Sequence, residues 1–130
     1  MRIYLAGKWN DKDKIRAIMA ALTDRGHTIT HDWTHHKEHK MTQEDYEQDA
    51  VADLDGIDCA ELFIAYLDDP KYAYNGTFTE LGFALGKQIP VVIMTPFVVW
   101  DPANVAFYKN AFTALKRVRR VATLDEALGV

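Results

Sequence analysis

Residues 61–94 decide the fold, and they read ELFIAYLDDPKYAYNGTFTELGFALGKQIPVVIM. Glu61–Leu67 is apolar on both faces, which predicts a buried strand that ends at Asp68-Asp69-Pro70. A helix is predicted from about Thr77 to Lys87, and Ile89–Met94 follows as the most strongly buried strand. Two buried strands separated by a helix indicate parallel pairing through a right-handed crossover.

The same alternation of strands and helices extends in both directions along the chain. The other predicted strands are Ile3–Ala6, His27–Trp33 and Arg117–Val121, and the other predicted helices are Asp11–Arg25, Thr42–Ile57, Val105–Leu115 and Leu124–Leu128. Gly26 stands where a helix C-terminus favours positive φ, and Thr42-Gln43-Glu44-Asp45 can cap the next helix. We therefore predict one α/β domain over residues 1–130, a three-layer, doubly wound (flavodoxin- or Rossmann-like) parallel sheet of about five strands.

The composition argues against several classes of protein. Of the 130 residues, 48% are hydrophobic and 26% are charged, which is typical of a globular domain and too apolar for disorder. A net charge of −4 argues against nucleic acid or an anionic membrane as partner, and we interpret the basic run Lys116–Arg120 as a solvated strand edge. The N-terminus does not resemble a signal peptide, and the longest apolar stretch, Ile89–Trp100, is too short for a membrane span. Together with a single cysteine, Cys59, these features predict a cytoplasmic protein without an internal disulfide.

Several common cofactor and nucleophile motifs do not occur in the sequence. The glycines form neither GxGxxG nor a Walker loop, so we predict no nicotinamide, ATP or other cofactor. The chain has no serine, which removes the serine-nucleophile hydrolases. His31, His35, His36 and His39 lie within nine positions, but neither HExxH nor a cysteine partner accompanies them. We interpret these residues as solvated loop histidines and predict no metal site.

Polar and aromatic residues cluster where the predicted strands end. Ligands of a doubly wound sheet bind at the carboxyl ends of the strands, beside the point where the strand order reverses. This rule places four segments on one rim, Ala6–Trp9, Asp32–Trp33, Asp68–Asp69 and Asn75–Glu80. Trp9 and Trp33 follow the first two strands, where their rings either stack on a nucleobase or close the top of the core.

The densest candidate feature is the segment 75–82, which reads NGTFTELG. Thr77 and Glu80 are three positions apart and therefore share one face of a helix. Two interpretations are open, and they are compatible. Thr77-x-x-Glu80 has the pattern of a capping box, which is purely structural, and Glu80 is also a candidate functional carboxylate that the helix dipole and nearby N–H donors hold ionised, as a nucleophile requires. Asp58 and Glu61 flank the start of the third strand, where acidic residues usually mark an exposed end.

Three segments in this order resemble the nucleoside 2-deoxyribosyltransferase family: IYLAG at 3–7, DGIDCAE at 55–61 with the strand that follows, and NGTFTELG at 75–82. The resemblance covers roughly residues 1–95. It implies that Glu80 attacks the anomeric carbon of a deoxyribonucleoside, that a covalent deoxyribosyl-enzyme forms, and that a second base collects the sugar with net retention. It also implies that Tyr4 orients Glu80 by hydrogen bonding and that Glu61 corresponds to a family aspartate. The predicted catalytic residues are thus Glu80, Tyr4 and Glu61.

The chain departs from the family pattern at Tyr74, where the family usually has an aspartate that exchanges a proton with the base. Base protonation then comes from elsewhere, for instance Asp68 or Asp69, or it is impaired. Relatives of the same fold hydrolyse nucleoside 5′-monophosphates with serines and a basic residue in the first loop, and Lys8 could meet a phosphate here. Three functions remain open: deoxyribosyl transfer between nucleobases, hydrolysis of the N-glycosidic bond of a nucleoside or 5′-monophosphate, and non-catalytic nucleotide binding or sensing.

The predicted ligands are a nucleoside or nucleotide and a free nucleobase. The predicted substrate-binding residues are Gly7, Lys8, Trp9, Trp33, Asp68, Asp69, Tyr74, Asn75, Gly76 and Thr77. The resemblance also implies a homo-oligomer in which a neighbouring subunit completes the pocket. The apolar segments Pro96–Trp100 and Phe107–Tyr108 are candidate contact surfaces.

Overall fold

The computed structural model describes residues 1–36, 42–97 and 110–130. The strands are β1 (Arg2–Ala6), β2 (Thr28–Ile29), β3 (Leu62–Tyr66), β4 (Val91–Met94) and β5 (Arg119–Val121). The α-helices are α1 (Lys12–Asp24), α2 (Gln43–Asp58), α3 (Asn75–Gly86) and α4 (Leu124–Leu128). Short 3-10 turns occupy Trp9–Asp11, Trp33–His35 and Ala111–Ala114.

The described strands form one parallel sheet in the order β2-β1-β3-β4-β5. This order reverses between β1 and β3, which makes the sheet doubly wound. β1, β3 and β4 consist almost entirely of buried residues because helices cover both faces of the sheet. The predicted fold class is therefore confirmed.

Two layers of helices cover the sheet. α2 and α3 pack against each other and against the central strands on one face. On the other face, the Arg25 guanidinium at the end of α1 donates a hydrogen bond to Asp125 of α4. None of the helices in the described ranges is both long and apolar enough to cross a membrane.

Local signals in the sequence fix most of the helix ends. Gly26 has a φ of 87° and follows α1 as expected. Thr42 forms the predicted capping box, because its side chain accepts from the Asp45 N–H and the Asp45 carboxylate accepts from the Thr42 N–H, both at 3.1 Å. Helix α4 has the bounds that the sequence predicts. These ends are local hydrogen-bonding events, so the sequence predicts them well.

The second strand is shorter than predicted, since only Thr28 and Ile29 pair with β1. The chain leaves the sheet because the Asp32 carboxylate accepts from the Thr34 N–H at 3.0 Å and starts a 3-10 turn. Trp33 then turns inward and its indole Nε1 donates to the carbonyl of Leu5 at 2.7 Å. The residues expected to extend β2 instead form a wall above the end of β1.

The C-terminal part of the chain differs from the prediction in one element. Residues 105–109 of the predicted helix Val105–Leu115 lie outside the described residues, and within them Ala111–Ala114 forms a single 3-10 turn. The candidate contact segments also lie outside them, apart from Pro96 and Phe97. β5, which carries part of the basic run, is an edge strand of the described sheet. Its Arg119 donates to carbonyls at the end of α4.

Helix α2 approaches β1 closely at Gly56, a buried residue inside the helix. A Cβ atom on Gly56 would lie 2.7 Å from Cβ of His31 and 3.2 Å from the ring of Tyr4. Both distances are shorter than van der Waals contact. Glycine is therefore required at this position for α2 to pack against the ring of Tyr4.

We predict that Gly56→Ala destabilises the protein by about 1–3 kcal/mol, because the added methyl group overpacks this contact. Alanine normally stabilises a helix interior relative to glycine by about 0.5–1 kcal/mol, so the sign of the effect is informative. Urea denaturation followed by circular dichroism measures it. Gly82→Ala in α3 is the matched control, because no described atom lies within 4 Å of an added Cβ there. Equal stabilisation of the two variants would show that α2 is not held by this contact.

Candidate active site

A buried hydrogen bond joins β1 to α3. Tyr4 is fully buried in β1 and stacks on Phe63 of β3, with ring centroids 5.6 Å apart. Its hydroxyl donates to Oε2 of Glu80 on α3. Glu80 also lines a cavity, so this bond fixes a carboxyl group that a small ligand can reach.

Burial is the main influence on Glu80 and raises its pKa to about 8. The hydrogen bond from Tyr4 acts in the opposite direction, and the nearby Asp53 carboxylate adds to the rise in this pKa. The expectation that the helix dipole holds Glu80 ionised is therefore wrong. The reason is its position, because α3 begins at Asn75 and Glu80 is the sixth helical residue, beyond the first turn where the dipole acts.

The interpretation of Thr77 and Glu80 as a capping box is also wrong. The N-cap of α3 is Tyr74, whose backbone is left-handed (φ 53°, ψ 39°) and whose side chain makes no capping hydrogen bond. Thr77 is the third helical residue and is buried. Glu80 bonds Tyr4 and does not cap the helix.

The cavity beside Glu80 has a volume of about 160 Å³. Its lining residues are Gly7, Trp9, Trp33, His36, Asp53, Gly76, Thr77 and Glu80. A neighbouring cleft of about 350 Å³ is lined by Gly7, Lys8, Trp9, Tyr72, Ala73, Tyr74, Asn75, Gly76 and Thr77. Four residues line both spaces, so the two adjoin over the carboxyl end of β1, and together they are called the groove below. Most of the predicted site residues therefore meet in one place.

The two tryptophans have different roles. Trp33 is 7% exposed and its indole N–H is bonded to Leu5, so it mainly closes the top of the core. Trp9 is partly exposed and lines both parts of the groove. Its ring centroid lies 6.2 Å from that of Trp33 at an angle of 46°. This tilt does not form a parallel slot for a base, so Trp9 is the better candidate for stacking.

Lys8 is surrounded by carboxylates. Its Nζ lies 3.2 Å from Asp69 and 3.9 Å from both Asp11 and Asp68. Asp68 also pairs with Lys14 at 2.9 Å. The cluster thus sets two ammonium groups against three carboxyl groups, so the positive charge of Lys8 is offset by its neighbours and attracts a phosphate only weakly.

Tyr74 borders the groove but is only 1% exposed. Its hydroxyl accepts from the backbone N–H groups of Asp68 and Asp69, each at 3.1 Å, and donates to the Asp68 carboxylate at 3.3 Å. Burial raises the pKa of Tyr74, so this hydroxyl stays protonated. Tyr74 therefore holds the loop after β3 and does not occupy the place of an acid that could serve a leaving base.

Glu61 does not belong to this site, which corrects its assignment as a catalytic residue. It precedes β3 and therefore lies at the amino end of a strand whose carboxyl end meets the groove. Its Oε1 accepts from the Arg2 N–H at 2.9 Å and lies 3.7 Å from the Arg2 guanidinium. These contacts show that Glu61 occupies the exposed amino end of the sheet. The full length of a strand separates this end from the carboxyl end, where the groove lies.

Asp53 and His36 line the cavity with Glu80 but are not among the predicted site residues. Burial raises the pKa of Asp53 to about 6. A signal was present in the sequence, because Asp53 precedes the buried residues Gly56 and Ile57 by three and four positions. This spacing places all three on the face of α2 that meets the sheet. Asp53 is thus a carboxylate on the buried side of a helix.

Comparison with known families agrees with the geometry. A family model described as nucleoside 2-deoxyribosyltransferase matches residues 3–118. The chain belongs to this family. This match confirms the resemblance to the family that the sequence motifs indicate. A comparison with curated proteins finds no significant match.

Solved structures share the fold of this family member. The CMP N-glycosidase BcmB of Clostridium botulinum matches with a TM-score of 0.62 at 18% identity, over 95% of this chain and 89% of that one. The 2-deoxyribosyltransferase of Bacillus psychrosaccharolyticus gives 0.62 at 23% identity over 80% of each chain. A conserved protein of Enterococcus faecalis V583 gives 0.64 at 21% identity over 98% and 94%. The family is enzymatic, and these structures include both a glycosyl-transferring and a hydrolysing enzyme.

The raised pKa of Glu80 predicts how stability depends on pH. Between about 4.5 and 8, folded Glu80 holds a proton that the unfolded chain has released, so the free energy of unfolding falls as pH rises through this window. We predict that Glu80→Gln removes part of this fall and that the variant is the more stable protein at the upper end. Melting temperatures of both proteins across this window measure the effect.

Glu61→Gln is the control for this measurement. The backbone N–H of Arg2 lowers the pKa of Glu61, so its contribution changes only below its ordinary value near 4.5. A plot of its melting temperature against pH should run parallel to that of the wild type over the tested window. Parallel curves for wild type and Glu80→Gln would mean that Glu80 has an ordinary pKa.

Proposed function

We propose that this protein transfers 2-deoxyribose between nucleobases through a covalent deoxyribosyl ester on Glu80. The observation that carries the proposal is the buried Tyr4–Glu80 hydrogen bond at the floor of the groove. Membership of the nucleoside 2-deoxyribosyltransferase family supports it. The carboxyl group of Glu80 is held in place by Tyr4 and lines the cavity, which suits a nucleophile.

The reaction takes two displacements at the anomeric carbon. A carboxylate oxygen of Glu80 forms a bond to C1′, and the N-glycosidic bond breaks with its electron pair going to the base nitrogen, which takes up a proton. A second base then attacks C1′ from the vacated face, releases Glu80 and loses its own proton. Two inversions give net retention.

The groups around Glu80 fit different parts of this step. Glu80 must be ionised to attack, so kcat/KM should rise with pH through its pKa of about 8. Burial, together with the charge of Glu80, raises the pKa of Tyr4, so its hydroxyl remains a hydrogen-bond donor over the same range. Tyr4 is therefore an orienting donor and not an acid–base group.

The proton for the leaving base does not come from the residues first considered. Hydrogen bonds from the Lys71 N–H and from Lys8 lower the pKa of Asp69. The pKa of Asp68 is also lowered, since Asp11 and Lys14 outweigh the opposing effect of burial. Both groups are therefore poor acids. We propose that the base exchanges its proton with water at the open side of the groove.

The charge distribution favours a nucleoside over its 5′-monophosphate. The carboxylates around Lys8 would repel a phosphate, and the chain has no serine that could bind one. The N–H groups of the first turn of α3, where Tyr74 supplies no side-chain cap, can instead donate to a sugar hydroxyl.

The first experiment is chromatographic product analysis with a panel of deoxyribonucleosides, with and without free adenine. We predict that a new deoxyribonucleoside forms only when a base is added, and that Glu80→Gln lowers this rate at least about a thousandfold, as loss of a nucleophile does. Glu61→Gln removes a carboxylate outside the groove and should keep the wild-type rate. Free base and free sugar regardless of acceptor would identify a hydrolase instead. If no product depends on Glu80, the result would favour a non-catalytic binding module.

A second experiment tests the preference for the nucleoside. We predict that wild-type kcat/KM is higher for a deoxyribonucleoside than for its 5′-monophosphate. Asp69→Asn should shift this ratio toward the monophosphate by about fivefold, equivalent to ~1 kcal/mol, because it removes a carboxylate that repels phosphate and offsets the charge of Lys8.

The matched control for this shift is Asp125→Asn, which changes the net charge equally. Asp125 pairs with Arg25 in the other helix layer, away from the groove. It should leave the ratio unchanged. An equal shift in both variants, or a wild-type preference for the monophosphate, would contradict the assignment of a nucleoside substrate.

A further inference from the structure

Three metal-binding side chains converge on the wall of the Glu80 cavity. The Nε2 atoms of His31 and His36 are 2.8 Å apart. Oδ1 of Asp53 lies 3.4 Å from Nε2 of His31 and 3.9 Å from Nε2 of His36. Two imidazoles and one carboxylate thus bring one potential ligand atom each within 4.8 Å of one another.

The spacing of these atoms matches the coordination shell of a small metal ion. Bonds of about 2.0 Å from Zn²⁺ to nitrogen or oxygen place adjacent ligands of a tetrahedron roughly 3.3 Å apart. The three observed separations, 2.8, 3.4 and 3.9 Å, bracket this value. Imidazole donors favour zinc and neighbouring transition metals over magnesium or calcium.

A hydrogen bond between two neutral imidazoles also accounts for the 2.8 Å distance, but it does not account for Asp53. Oδ1 of Asp53 is a buried atom that makes no hydrogen bond to a described residue, although Nε2 of His31 lies 3.4 Å from it. A buried carboxylate oxygen without a hydrogen bond is unfavourable. A cation at the centre of the three groups would pair with this oxygen and with both imidazoles at once.

The surroundings resemble those of a bound metal in two further ways. Oδ2 of Asp49 lies 3.6 Å from Nδ1 of His36, on the ring nitrogen opposite to the proposed ligand atom. A carboxylate on this side of the ring orients a metal-bound imidazole when the two are hydrogen-bonded, for which Asp49 would have to approach slightly closer. The side chains of His31, His36 and Asp53 are 25%, 19% and 24% exposed, so the centre is sheltered yet reachable by an ion.

The fold brings these residues together from three elements. His31 follows β2, His36 follows the 3-10 turn Trp33–His35, and Asp53 lies on α2. The close approach of α2 at Gly56, three residues after Asp53, sets the distance between α2 and His31. The site is therefore preformed by the packing of α2 on the sheet.

We propose that His31, His36 and Asp53 bind one divalent transition-metal ion of the zinc type through Nε2, Nε2 and Oδ1. His36 and Asp53 line the cavity that contains Glu80, so the remaining coordination position faces this cavity. That position takes a water molecule or an oxygen atom of a bound ligand. The site does not rest on the proposed deoxyribosyl transfer, and it gives His31 and His36 a role other than that of solvated loop histidines.

Isothermal titration of Zn²⁺ into the tag-free, chelator-treated protein tests the proposal. We expect one ion per chain in the wild type. His36→Ala and Asp53→Asn should each weaken binding at least about a hundredfold, and Asp49→Asn by about 10–100-fold. His35→Ala is the matched control, because His35 is exposed and pairs with Asp32 outside the cluster. It should bind like the wild type.

Cobalt provides a second readout. Co²⁺ bound to the three ligands and water should give the intense visible absorption of a four-coordinate site, and this absorption should be lost in His36→Ala but kept in His35→Ala. Circular dichroism melting without metal verifies that each variant folds, and Asp53→Asn, which preserves side-chain size, remains informative if His36→Ala does not fold.

Two results would overturn the proposal. One is a wild type that binds no Zn²⁺, and the other is weak binding that His35→Ala and His36→Ala reduce equally. Glu80→Gln should bind one ion with unchanged stoichiometry whether or not the protein transfers deoxyribose. Failure of the metal site and failure of the proposed activity are therefore distinguishable.

Discussion

The hydrogen bond between Tyr4 and Glu80 is the constraint on which the rest of the site depends. It is made inside the protein, between the first strand and the third helix, so the same packing that builds the core also orients the carboxyl group. Three elements must fit around it. β3 stacks Phe63 on the ring of Tyr4, α2 passes over that ring at a glycine, and α3 presents Glu80 from its second turn. A change in any of these contacts moves the reactive group.

This arrangement sets two demands against each other. Burial makes the carboxyl group precise in position but favours its neutral form, whereas nucleophilic attack needs the charged form. The hydroxyl of Tyr4 reduces the conflict because a donor stabilises the charge. Asp53 increases it, since a second carboxylate nearby disfavours ionisation. A positive charge between Asp53 and the two histidines would stabilise the ionised form of Glu80.

The sequence predicts the fold well and the site in part, and the difference follows from the range of the interactions. Thr42 and Gly26 mark helix ends through contacts within a few residues, so their roles are legible in the sequence. Glu80, Tyr4 and the first turn of α3 were placed through the family motif and the rule for parallel sheets. Glu61 was assigned a catalytic role by the family motif alone, although its predicted place at the start of β3 already put it at the end of the strand opposite to the ligand rim.

The residues that the sequence did not reveal are those that depend on packing between helices. Asp53 belongs to the site only because α2 lies against β1, and the capping interpretation of Thr77 failed because α3 begins two residues earlier. The inward turn of Tyr74 depends on a left-handed backbone that a non-glycine residue rarely adopts. Thr77 and Tyr74 have no local signature of these positions, and Asp53 has one only in its spacing to Gly56 and Ile57.

The role of Tyr74 has a consequence for how the groove receives a ligand. Its hydroxyl ties the residue at the start of α3 back to the two amides that follow β3, so the segment from Asp68 to Tyr74 is closed into a ring by a side chain. The conformational entropy of this segment is lost when the protein folds. A ligand that enters the groove then finds one wall already rigid, and less of its binding free energy is used to order the protein.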